Sequence, residues 1–302
     1  MNAPRKNRVD VHGWIVLDKP VGMTSTHAVS AVRRILNAKK AGHAGTLDPL
    51  ASGILPLAFG EATKTVPYVV DGEKAYTFTV RWGVETDTDD SEGRPVATSD
   101  RRPDLTEIEA ALPRFVGPVS QVPPRFSAIK IAGERAYDLA RDGEAVELQA
   151  RTVEIHSLTL VAHDADSATF ACECGKGTYV RAIARDLGRL LGCLGHVTAL
   201  RRTRVGPFTL DDAVTYAELE AAPEAAHEAV LSVEGGLTEL PCVVVSRDAA
   251  QRLRRGQSII LRGRDAPAEG GPVYAACAGV VVAVGMVERG ELVPNRVFNL
   301  PL

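Results

Sequence analysis

Long apolar runs and disulfide-type cysteine patterns are missing from this chain of 302 residues. No run of apolar residues is long enough to span a bilayer, and residues 1–10 are polar and basic, without the apolar core of a signal peptide. The five cysteines are odd in number and do not form the framework of a secreted disulfide-rich domain. We therefore expect a cytoplasmic protein that does not associate with a membrane.

An excess of positive charge is missing as well. The formal net charge is -3 at pH 7, whereas a general nucleic-acid-binding protein is expected to be basic. The basic residues are concentrated in 176–204 and 247–264, while 211–239 contains eight acidic residues and no Lys or Arg. Each basic segment alone is equally typical of a solvated face, but the separation of signs favours local surfaces for a polyanion.

Motifs for nucleotides and metals are absent too. The glycine turn at 175–177 is not a phosphate-binding P-loop, because Phe170 stands where that motif requires its first glycine. The acidic residues in 87–90 lack the glycine and the terminal glutamate of an EF-hand. Cys172 and Cys174 fit neither a zinc site nor a redox CxxC, and we expect them on one face of a strand. These absences predict a protein without a metal or a cofactor.

The stretch 42–56 is the most unusual part of the chain. It contains three glycines and two prolines, and Asp48 is its one charged residue when His43 is neutral. Pro49 biases Asp48 away from helical backbone, which predicts that the carboxylate projects from a loop or turn. The glycines allow close approach of the backbone to a ligand or to another strand. A charge in such apolar surroundings is costly unless it is paired. Asp48 is thus a candidate functional acid, although the residues alone are also consistent with an Asp that caps a turn.

This stretch resembles a known catalytic signature. The segment Gly42-His43-Ala44-Gly45-Thr46-Leu47-Asp48-Pro49, followed by Ala51-Ser52-Gly53, is similar to the signature of the TruB family of tRNA pseudouridine synthases. Further segments resemble other motifs of that family in the same order and spacing: Lys19-Pro20, Lys74-Ala75-Tyr76 with 86–89, 176–181 and 200–208. Because several separated motifs agree, the resemblance covers most of the chain.

The resemblance implies that Asp48, Tyr76 and Arg181 are the catalytic residues. Asp48 would act as the nucleophile or as a base toward the ribose, and Arg181 would pair with its carboxylate. Tyr76 would lie against the target base, since an aromatic ring can stack on any base. Periodicity alone favours a different interpretation, in which Tyr76 is a core residue. It shares one face of a half-buried strand over 74–82 with Phe78.

The resemblance also implies a set of substrate-binding residues: His43, Tyr76, Tyr179, Leu200 and Lys19. Tyr179 and Leu200 would line the uridine pocket. His43 would wedge into the RNA and help to expel the base, and Lys19 would lie near the active site. Without the resemblance, a lone histidine is more typical of a structural role, and Lys19 is equally typical of a solvated turn.

Alternating strands and amphipathic helices predict an α+β fold. The helical patterns fall at 25–36, 105–115, 179–191 and 213–229. Thr178 is the expected N-cap of the third helix. A solvated basic face is the default for Arg181, Arg185 and Arg189 on that helix, and the resemblance makes an exception of Arg181. The resemblance implies a pseudouridine-synthase fold, with a mixed, largely antiparallel central sheet.

Two domains are expected. The catalytic domain would cover 10–235, and a small C-terminal β-barrel domain of the PUA type, which binds RNA, would cover 238–302. Short strand patterns and glycine turns support the second domain. The resemblance also implies an RNA-clasping insertion at about 120–152, whose basic residues can meet phosphates: Arg125, Lys130, Arg135 and Arg141.

The resulting functional hypothesis is a tRNA pseudouridine-55 synthase that isomerises the T-loop uridine. It would act on the T-arm of tRNA as a monomer, without a protein partner. Three alternatives stay open: a glycosidase-like hydrolase, a non-catalytic tRNA-binding or tRNA-folding protein, and a pseudouridine synthase that acts on another RNA. A glycosidase normally needs two carboxylates that flank the bond, and the stretch 42–56 supplies one.

Overall fold

The computed structural model describes residues 7–127, 130–131, 134–135, 148–261 and 270–302. Within these ranges, a ten-stranded mixed sheet and a five-stranded C-terminal sheet dominate the molecule. The predicted α+β fold is confirmed. No helix in the described ranges is both long enough and apolar enough to cross a membrane.

The strands before residue 216 form the large sheet and two hairpins. In chain order they are β1 Gly13–Lys19, β2 Ala41–His43, β3 Ser52–Phe59, β4 Lys74–Trp82, β5 Val84–Thr86, β6 Pro95–Thr98, β7 Gly117–Gln121, β8 Lys130–Ile131, β9 Glu134–Arg135, β10 Arg151–His163, β11 Ser167–Cys174, β12 Gly195–Val205, β13 Phe208–Thr209 and β14 Ala213–Thr215. The large sheet has the order β14-β1-β3-β12-β4-β11-β10-β7, with β2 beside β3 and β13 beside β12. Its pairs are antiparallel except β1 with β14 and β3 with β12, so the expected mixed, largely antiparallel sheet is confirmed.

The alternation read in β4 places its apolar residues in the core. Phe78, Val80 and Trp82 are buried, whereas Arg81 on the other face is exposed. Phe78 and Trp82 both stack near Phe170 of β11, at 5.5 and 6.4 Å between ring centroids. Cys172 and Cys174 of β11 are also buried and alternate as predicted. The central strands thus form because every second residue contributes to one apolar layer.

Helices alternate with the strands along the chain and pack against the two sheets. Their bounds are α1 Ser25–Ile35, α2 Val66–Asp71, α3 Leu105–Ala111, α4 Val180–Leu190, α5 Tyr216–Ala221 and α6 Arg247–Arg254, with 3-10 turns at Gly60–Lys64, Leu112–Phe115, Leu210–Asp212, Ala225–His227 and Val233–Leu237. Thr24 caps α1, since its Oγ1 accepts a hydrogen bond from the amide of His27. The helix predicted over 105–115 changes to a 3-10 turn at Leu112, because Pro113 cannot continue an α-helix.

Two predictions about helices are wrong. Thr178 does not cap α4, because its hydroxyl donates to the carbonyl of Gly175 and Tyr179 occupies the N-cap position. The segment 213–229 is not one helix: Ala213–Thr215 is a strand beside β1, and only Tyr216–Ala221 is α-helical. The β-branched residues before Tyr216 suit the sheet edge, and a proline after Ala222 stops the helix.

The C-terminal sheet contains one strand that the sequence patterns do not predict. Its strands are β15 Cys242–Val244, β16 Ile259–Ile260, β17 Gly271–Cys277, β18 Val280–Glu288 and β19 Glu291–Val297, in the order β15-β17-β18-β19-β16. The expected small β-domain is a curled half-barrel of five strands. The missed strand is β19, in which Pro294 and several polar residues mask the strand pattern. Pro294 is tolerated at a register irregularity opposite Gly285.

A continuous apolar seam joins the two sheets. It contains Trp14 of β1, Phe208, Tyr274 of β17 and Phe298. The rings of Trp14 and Phe208 lie 5.2 Å apart, and the Tyr274 hydroxyl donates to Glu234 at 2.6 Å. The C-terminal sheet is therefore packed onto the back of the large sheet through buried side chains.

About half of the implied insertion lies outside the described residues. This applies to Arg141 and to the side chains of Lys130 and Arg135. Of the basic positions named there, Arg125 is described, and it is exposed. Part of the second basic segment, 262–264, also lies outside the described ranges.

Replacement of Phe298 tests the seam. Phe298 is fully buried, so Phe298→Ala should leave a cavity and lower the free energy of unfolding by about 3–5 kcal/mol. Urea denaturation measures the change. Val244 is 77% exposed, and Val244→Ala, the control, should change stability by no more than about 0.5 kcal/mol. Equal effects of the two substitutions would contradict the buried seam.

Candidate active site

The stretch 42–56 crosses from β2 to β3 and carries Asp48 on the intervening loop. The loop is closed by a hydrogen bond from the Ala44 amide to the Pro56 carbonyl, and a turn follows in which the Ala51 amide donates to the Asp48 carbonyl. Gly45 has a φ of 92°, a left-handed conformation that favours glycine. Asp48 therefore projects from a loop, as its position before Pro49 predicts.

Ser25 anchors this loop to α1. Its hydroxyl donates to the Leu47 carbonyl and accepts from the Leu47 amide, both at 2.9 Å. Ser25 is 4% exposed, so these two bonds are protected from water and fix the backbone directly before Asp48. None of the sequence motifs predicts this role of Ser25.

Arg181 pairs with Asp48 at the centre of the site. Its Nη2 lies 2.9 Å from Asp48 Oδ2, and its Nη1 lies 3.3 Å from Asp90 Oδ2. The guanidinium also donates to the carbonyls of Thr88 and Phe126, each at 2.9 Å. The Arg181 side chain is 5% exposed and that of Asp48 is 34% exposed. The arginine is thus fixed within the protein, while the carboxylate remains accessible from the cavity.

Two more carboxylates face α4 from the loop after β5. Burial raises the pKa of Asp90, and hydrogen bonds from Thr88 and from the Glu92 amide oppose the shift. Burial also raises the pKa of Asp89 to about 6, although Arg185, at 2.9 Å, opposes it. Both carboxylates therefore depend on α4 for their partners.

The solvated basic face that is the default for α4 is wrong for Arg185, while Arg181 pairs with Asp48 as the resemblance implies. Arg181 and Arg185 are buried and paired with Asp90 and Asp89, whereas Arg189 is 54% exposed and pairs with Glu85. Helical periodicity reveals that the arginines share a face, but it does not reveal what that face packs against. Much of the positive charge in 176–204 is therefore used inside the protein.

A cleft of about 350 Å³ lies beside the ion pair. Its walls include five of the residues implied as catalytic or substrate-binding: Asp48, Tyr76, Tyr179, Arg181 and Leu200. β4 supplies Tyr76, β12 supplies Leu200, and the turn before α4 supplies Tyr179. Residues distant in the sequence thus converge because β4 and β12 are neighbours in the sheet.

Tyr76 combines the two interpretations given from the sequence. It packs against the main apolar core and also lines the cleft. Burial raises the pKa of Tyr76 to about 12, although nearby Arg202 opposes the shift. The phenol is therefore protonated at neutral pH in the free protein.

His43 lies on a second cavity, of about 540 Å³. Residues 46–48 and Arg181 line both cavities, so the Asp48–Arg181 pair separates them. The remaining walls of the second cavity carry mainly hydroxyl and acidic side chains: Thr24, Ser25, Thr26, Thr88, Asp90, Glu92 and Ser127. The structure therefore places His43 near Asp48 but away from Tyr76 and Leu200.

Lys19 is fully buried beneath the site. Its ammonium donates to the carbonyls of Pro20 and Met23 at 2.9 and 2.8 Å. Burial lowers the pKa of Lys19, and the nearby carboxylate of Asp48 opposes this shift. Lys19 thus lies near Asp48, as implied, but its hydrogen bonds go to backbone and not into the cleft.

Arg202 is a site residue that the sequence did not single out. Its side chain reaches across the loop and donates to the carbonyls of Ile54, Thr46 and Gly45 at 2.8, 3.2 and 3.1 Å. β12 approaches β3 so closely that a Cβ on Gly53 would lie 2.1 Å from the Arg202 carbonyl. The close approach predicted for these glycines is thus to another strand at Gly53. A count of basic residues could not distinguish Arg202 from a solvated arginine.

The fold and the site together define a class. A mixed sheet with a C-terminal β module, and an aspartate paired with a buried arginine between two tyrosines, is the arrangement of a pseudouridine synthase. Family models agree: residues 33–180 match the N-terminal domain of the TruB family pseudouridylate synthases, and residues 181–240 match the C-terminal domain of tRNA pseudouridylate synthase B. The chain belongs to the TruB family.

Curated relatives and a solved structure are similar over nearly the whole chain. The tRNA pseudouridine synthase B of Rhodopseudomonas palustris is 60% identical, with 98% of this chain and 83% of the relative covered. That of Bradyrhizobium diazoefficiens is also 60% identical, with coverage of 99% and 89%. A chain in the crystal structure of a Cbf5–Nop10–Gar1 complex superposes with a TM-score of 0.72 at 25% identity, covering 95% of this chain and 84% of that one. The family and the fold are therefore supported independently.

Arg181→Lys tests whether one guanidinium must satisfy several groups. A lysine cannot bond Asp48, Asp90 and two carbonyls at once, so we expect a loss of about 3–5 kcal/mol in the free energy of unfolding. Chemical denaturation measures this. Arg189→Lys, on the exposed side of α4, should cost less than about 1 kcal/mol. A small loss for Arg181→Lys would show that the buried network is not needed for stability.

Lys19 should give stability a pH dependence. Burial lowers its pKa from 10.5 to about 8, so between these values the unfolded chain binds a proton that the folded chain releases. The free energy of unfolding from this group therefore rises with pH over that window, and the contribution is lost as pH falls through about 8.

Lys19→Met removes the titrating group, so the rise between pH 8 and 10.5 should be smaller than in the unmodified protein. Urea denaturation at a series of pH values measures the slope. Lys39, exposed beside Asp10, provides the control, and Lys39→Met should keep the rise. The same slope in both variants would contradict the assignment to Lys19.

Proposed function

We propose that this chain is a tRNA pseudouridine-55 synthase, which isomerises the T-loop uridine of tRNA. The observation that carries the proposal is the 2.9 Å pair between Asp48 and Arg181 in a cleft lined by two tyrosines. Near-full-length similarity to proteins named tRNA pseudouridine synthase B supports tRNA as the substrate. A synthase for another RNA is the second candidate, since the cleft itself recognises a uridine and not a whole tRNA.

The reaction needs one reactive carboxylate and a means to hold a detached base. The C1'–N1 bond of uridine breaks, the base turns, and C5 forms the new bond to C1'. C5 then loses its proton and N1 gains one, so no atom is added overall. Asp48 serves as the nucleophile or as the base toward the ribose. Arg181 supports either role, because its fixed positive charge faces the carboxylate without reorganising during the reaction.

Tyr76, Tyr179 and Leu200 form the pocket that keeps the base in place while it turns. Flat aromatic rings and one aliphatic side chain contact a pyrimidine from its faces, which leaves the edge free to rotate. The raised pKa of Tyr76 favours a neutral phenol that contacts the base. A resting phenolate that removes the C5 proton is disfavoured for the same reason.

His43 occupies the side from which the RNA would enter. A uridine in a folded loop must leave its stack, at a cost of a few kcal/mol. From the second cavity, His43 can fill the vacated position while Asp48, at the boundary, reaches the extruded nucleoside. Lys19 supports the loop from beneath through its bonds to Pro20 and Met23.

The arrangement disfavours a glycosidase-like hydrolase. Such an enzyme needs a second accessible carboxylate on the other side of the bond. Asp48 is the one carboxylate among the described residues that line the cleft, and Asp90, which also contacts Arg181, has a side chain that is 3% exposed and already bonded to Thr88. A second carboxylate with this degree of burial is poorly placed to activate water.

We also propose how the molecule is organised and where it acts. The catalytic domain covers 10–235, with the RNA-clasping insertion at about 120–152, and the PUA-like domain covers 238–302. One chain supplies both walls of the cleft, which supports a monomer that needs no protein partner. The T-arm of tRNA is the bound element, and the cytoplasm is the compartment where such an enzyme would meet it.

Asp48→Asn should abolish turnover of a T-loop transcript, with a loss of at least about a thousandfold, because the amide is no longer a nucleophile. RNA affinity should stay nearly unchanged. Release of tritium from C5-labelled uridine measures turnover, and filter binding measures affinity. Asp166→Asn, an exposed acid on the β10–β11 turn, is the matched control and should keep full activity.

The same assay separates the candidate functions. A synthase releases tritium to water without freeing uracil, a hydrolase frees labelled uracil, and a pure RNA-binding protein releases neither. Normal turnover by the Asp48→Asn variant would refute the catalytic assignment. Turnover on an unrelated stem-loop but not on tRNA would favour the second candidate.

A further inference from the structure

We infer that Gln121 and Arg151 are positioning residues that hold Tyr179 in the cleft. They lie on two strands, β7 and β10, that the catalytic motifs do not include. The inference rests on the proposed function for the role of Tyr179 as a pocket wall. Its structural basis is a set of contacts to the backbone and to the ring of that one tyrosine.

Gln121 holds the backbone of Tyr179 from both sides. Its Oε1 accepts from the Tyr179 amide at 2.8 Å, and its Nε2 donates to the Tyr179 carbonyl at 3.1 Å. Gln121 is 1% exposed, so water cannot replace these bonds without opening the structure. Since Tyr179 is the N-cap residue of α4, this amide also fixes where the helix begins.

Arg151 holds the ring of Tyr179. Its guanidinium lies 5.2 Å from the ring centroid, within the range of a cation–π contact. The same guanidinium donates to the carbonyl of Gly177, two residues before the tyrosine. Gly177 has a φ of 86°, and a Cβ there would lie 3.6 Å from the Arg151 side chain, so the glycine turn passes directly under the arginine.

The two residues act from one place because they are cross-strand partners. Arg151, the first residue of β10, pairs with Gln121, the last residue of β7. The chain between these strand ends begins with residues that α4 also holds: Arg185 donates to the Val122 carbonyl and Arg181 to the Phe126 carbonyl. Tyr179 and the beginning of the segment 122–150 thus depend on the same small group of contacts.

The expected effect is a loss of catalytic efficiency without a loss of the fold. Arg151→Ala should lower kcat/KM for a tRNA transcript by roughly tenfold, the range of one well-placed cation–π contact. Gln121→Ala should cause a loss of similar size, because the Tyr179 amide loses its side-chain partner and the Tyr179 carbonyl keeps only the donors of its own helix, the amides of Ala182 and Ile183. Arg151→Lys should recover part of the activity, since an ammonium can still lie over the ring.

A double-mutant cycle with Tyr179→Ala tests whether Arg151 acts through the tyrosine. If it does, Arg151→Ala should change kcat/KM by less than about twofold in the Tyr179→Ala background, because residues that act as a unit are not additive. A fluorotyrosine at position 179 provides a readout in the absence of RNA. Its ¹⁹F resonance should shift on Arg151→Ala and on Gln121→Ala.

Arg102 provides the matched control. It also lies over a glycine with positive φ, Gly83, and donates to backbone carbonyls, but it is distant from the cleft. Arg102→Ala should leave kcat/KM and the ¹⁹F resonance unchanged.

Two results would overturn the inference. The first is that Arg151→Ala lowers kcat/KM as much in the Tyr179→Ala background as in the unmodified protein, and that the salt dependence of RNA binding falls by the equivalent of about one phosphate contact. Arg151 would then bind RNA directly. The second is a loss of activity that follows a fall in thermal stability, with no ¹⁹F shift, which would assign Gln121 and Arg151 to the fold alone. Failure of the proposed function itself is distinguishable, because the unmodified protein would then release no tritium.

Discussion

The buried guanidinium of Arg181 is the constraint on which the site depends. A charge that is removed from water is costly unless hydrogen bonds and opposite charges surround it. Asp48, Asp90 and the carbonyls of Thr88 and Phe126 meet that requirement. Three loops from different parts of the chain must therefore come to one side chain. The position of the Asp48 carboxylate is a consequence of satisfying this one arginine.

The same principle operates at two more buried arginines. Arg202 of β12 donates to the carbonyls of Ile54 and Thr46, and Arg185, one turn after Arg181 in α4, donates to the buried carboxylate of Asp89. Buried arginines thus hold in place the loops that form the candidate site. A planar guanidinium suits this task, because it presents several donors in a fixed geometry. The burial of these arginines also explains how a protein with a net charge of -3 can have a strongly basic segment without a uniformly basic surface.

The sequence predicted the parts of this arrangement that depend on local pattern. Alternation in β4, the loop conformation at Asp48 before Pro49 and the apolar stripe of α4 follow from backbone preferences, and family motifs brought Asp48 and Arg181 together. It did not predict the burial of Arg185, the role of Ser25 or the strand β19. Arg185 and Ser25 look solvated or local in sequence, since their partners are 96 and 22 residues away. β19 was missed because Pro294 interrupts its pattern, and only the register irregularity opposite Gly285 makes that proline acceptable.

The difference between Asp48 and Tyr179 shows why motifs give only part of a site. Asp48 is held by Arg181, and both residues belong to motifs, so the motifs alone predict their contact. Tyr179 is held by Gln121 and Arg151, which lie at the two ends of the implied insertion and outside the catalytic motifs, and which meet because β7 and β10 are paired. A reaction in which a base must leave and return tolerates little misplacement of its walls. The accuracy of the pocket therefore depends on the register of an edge strand as much as on the residues that touch the base.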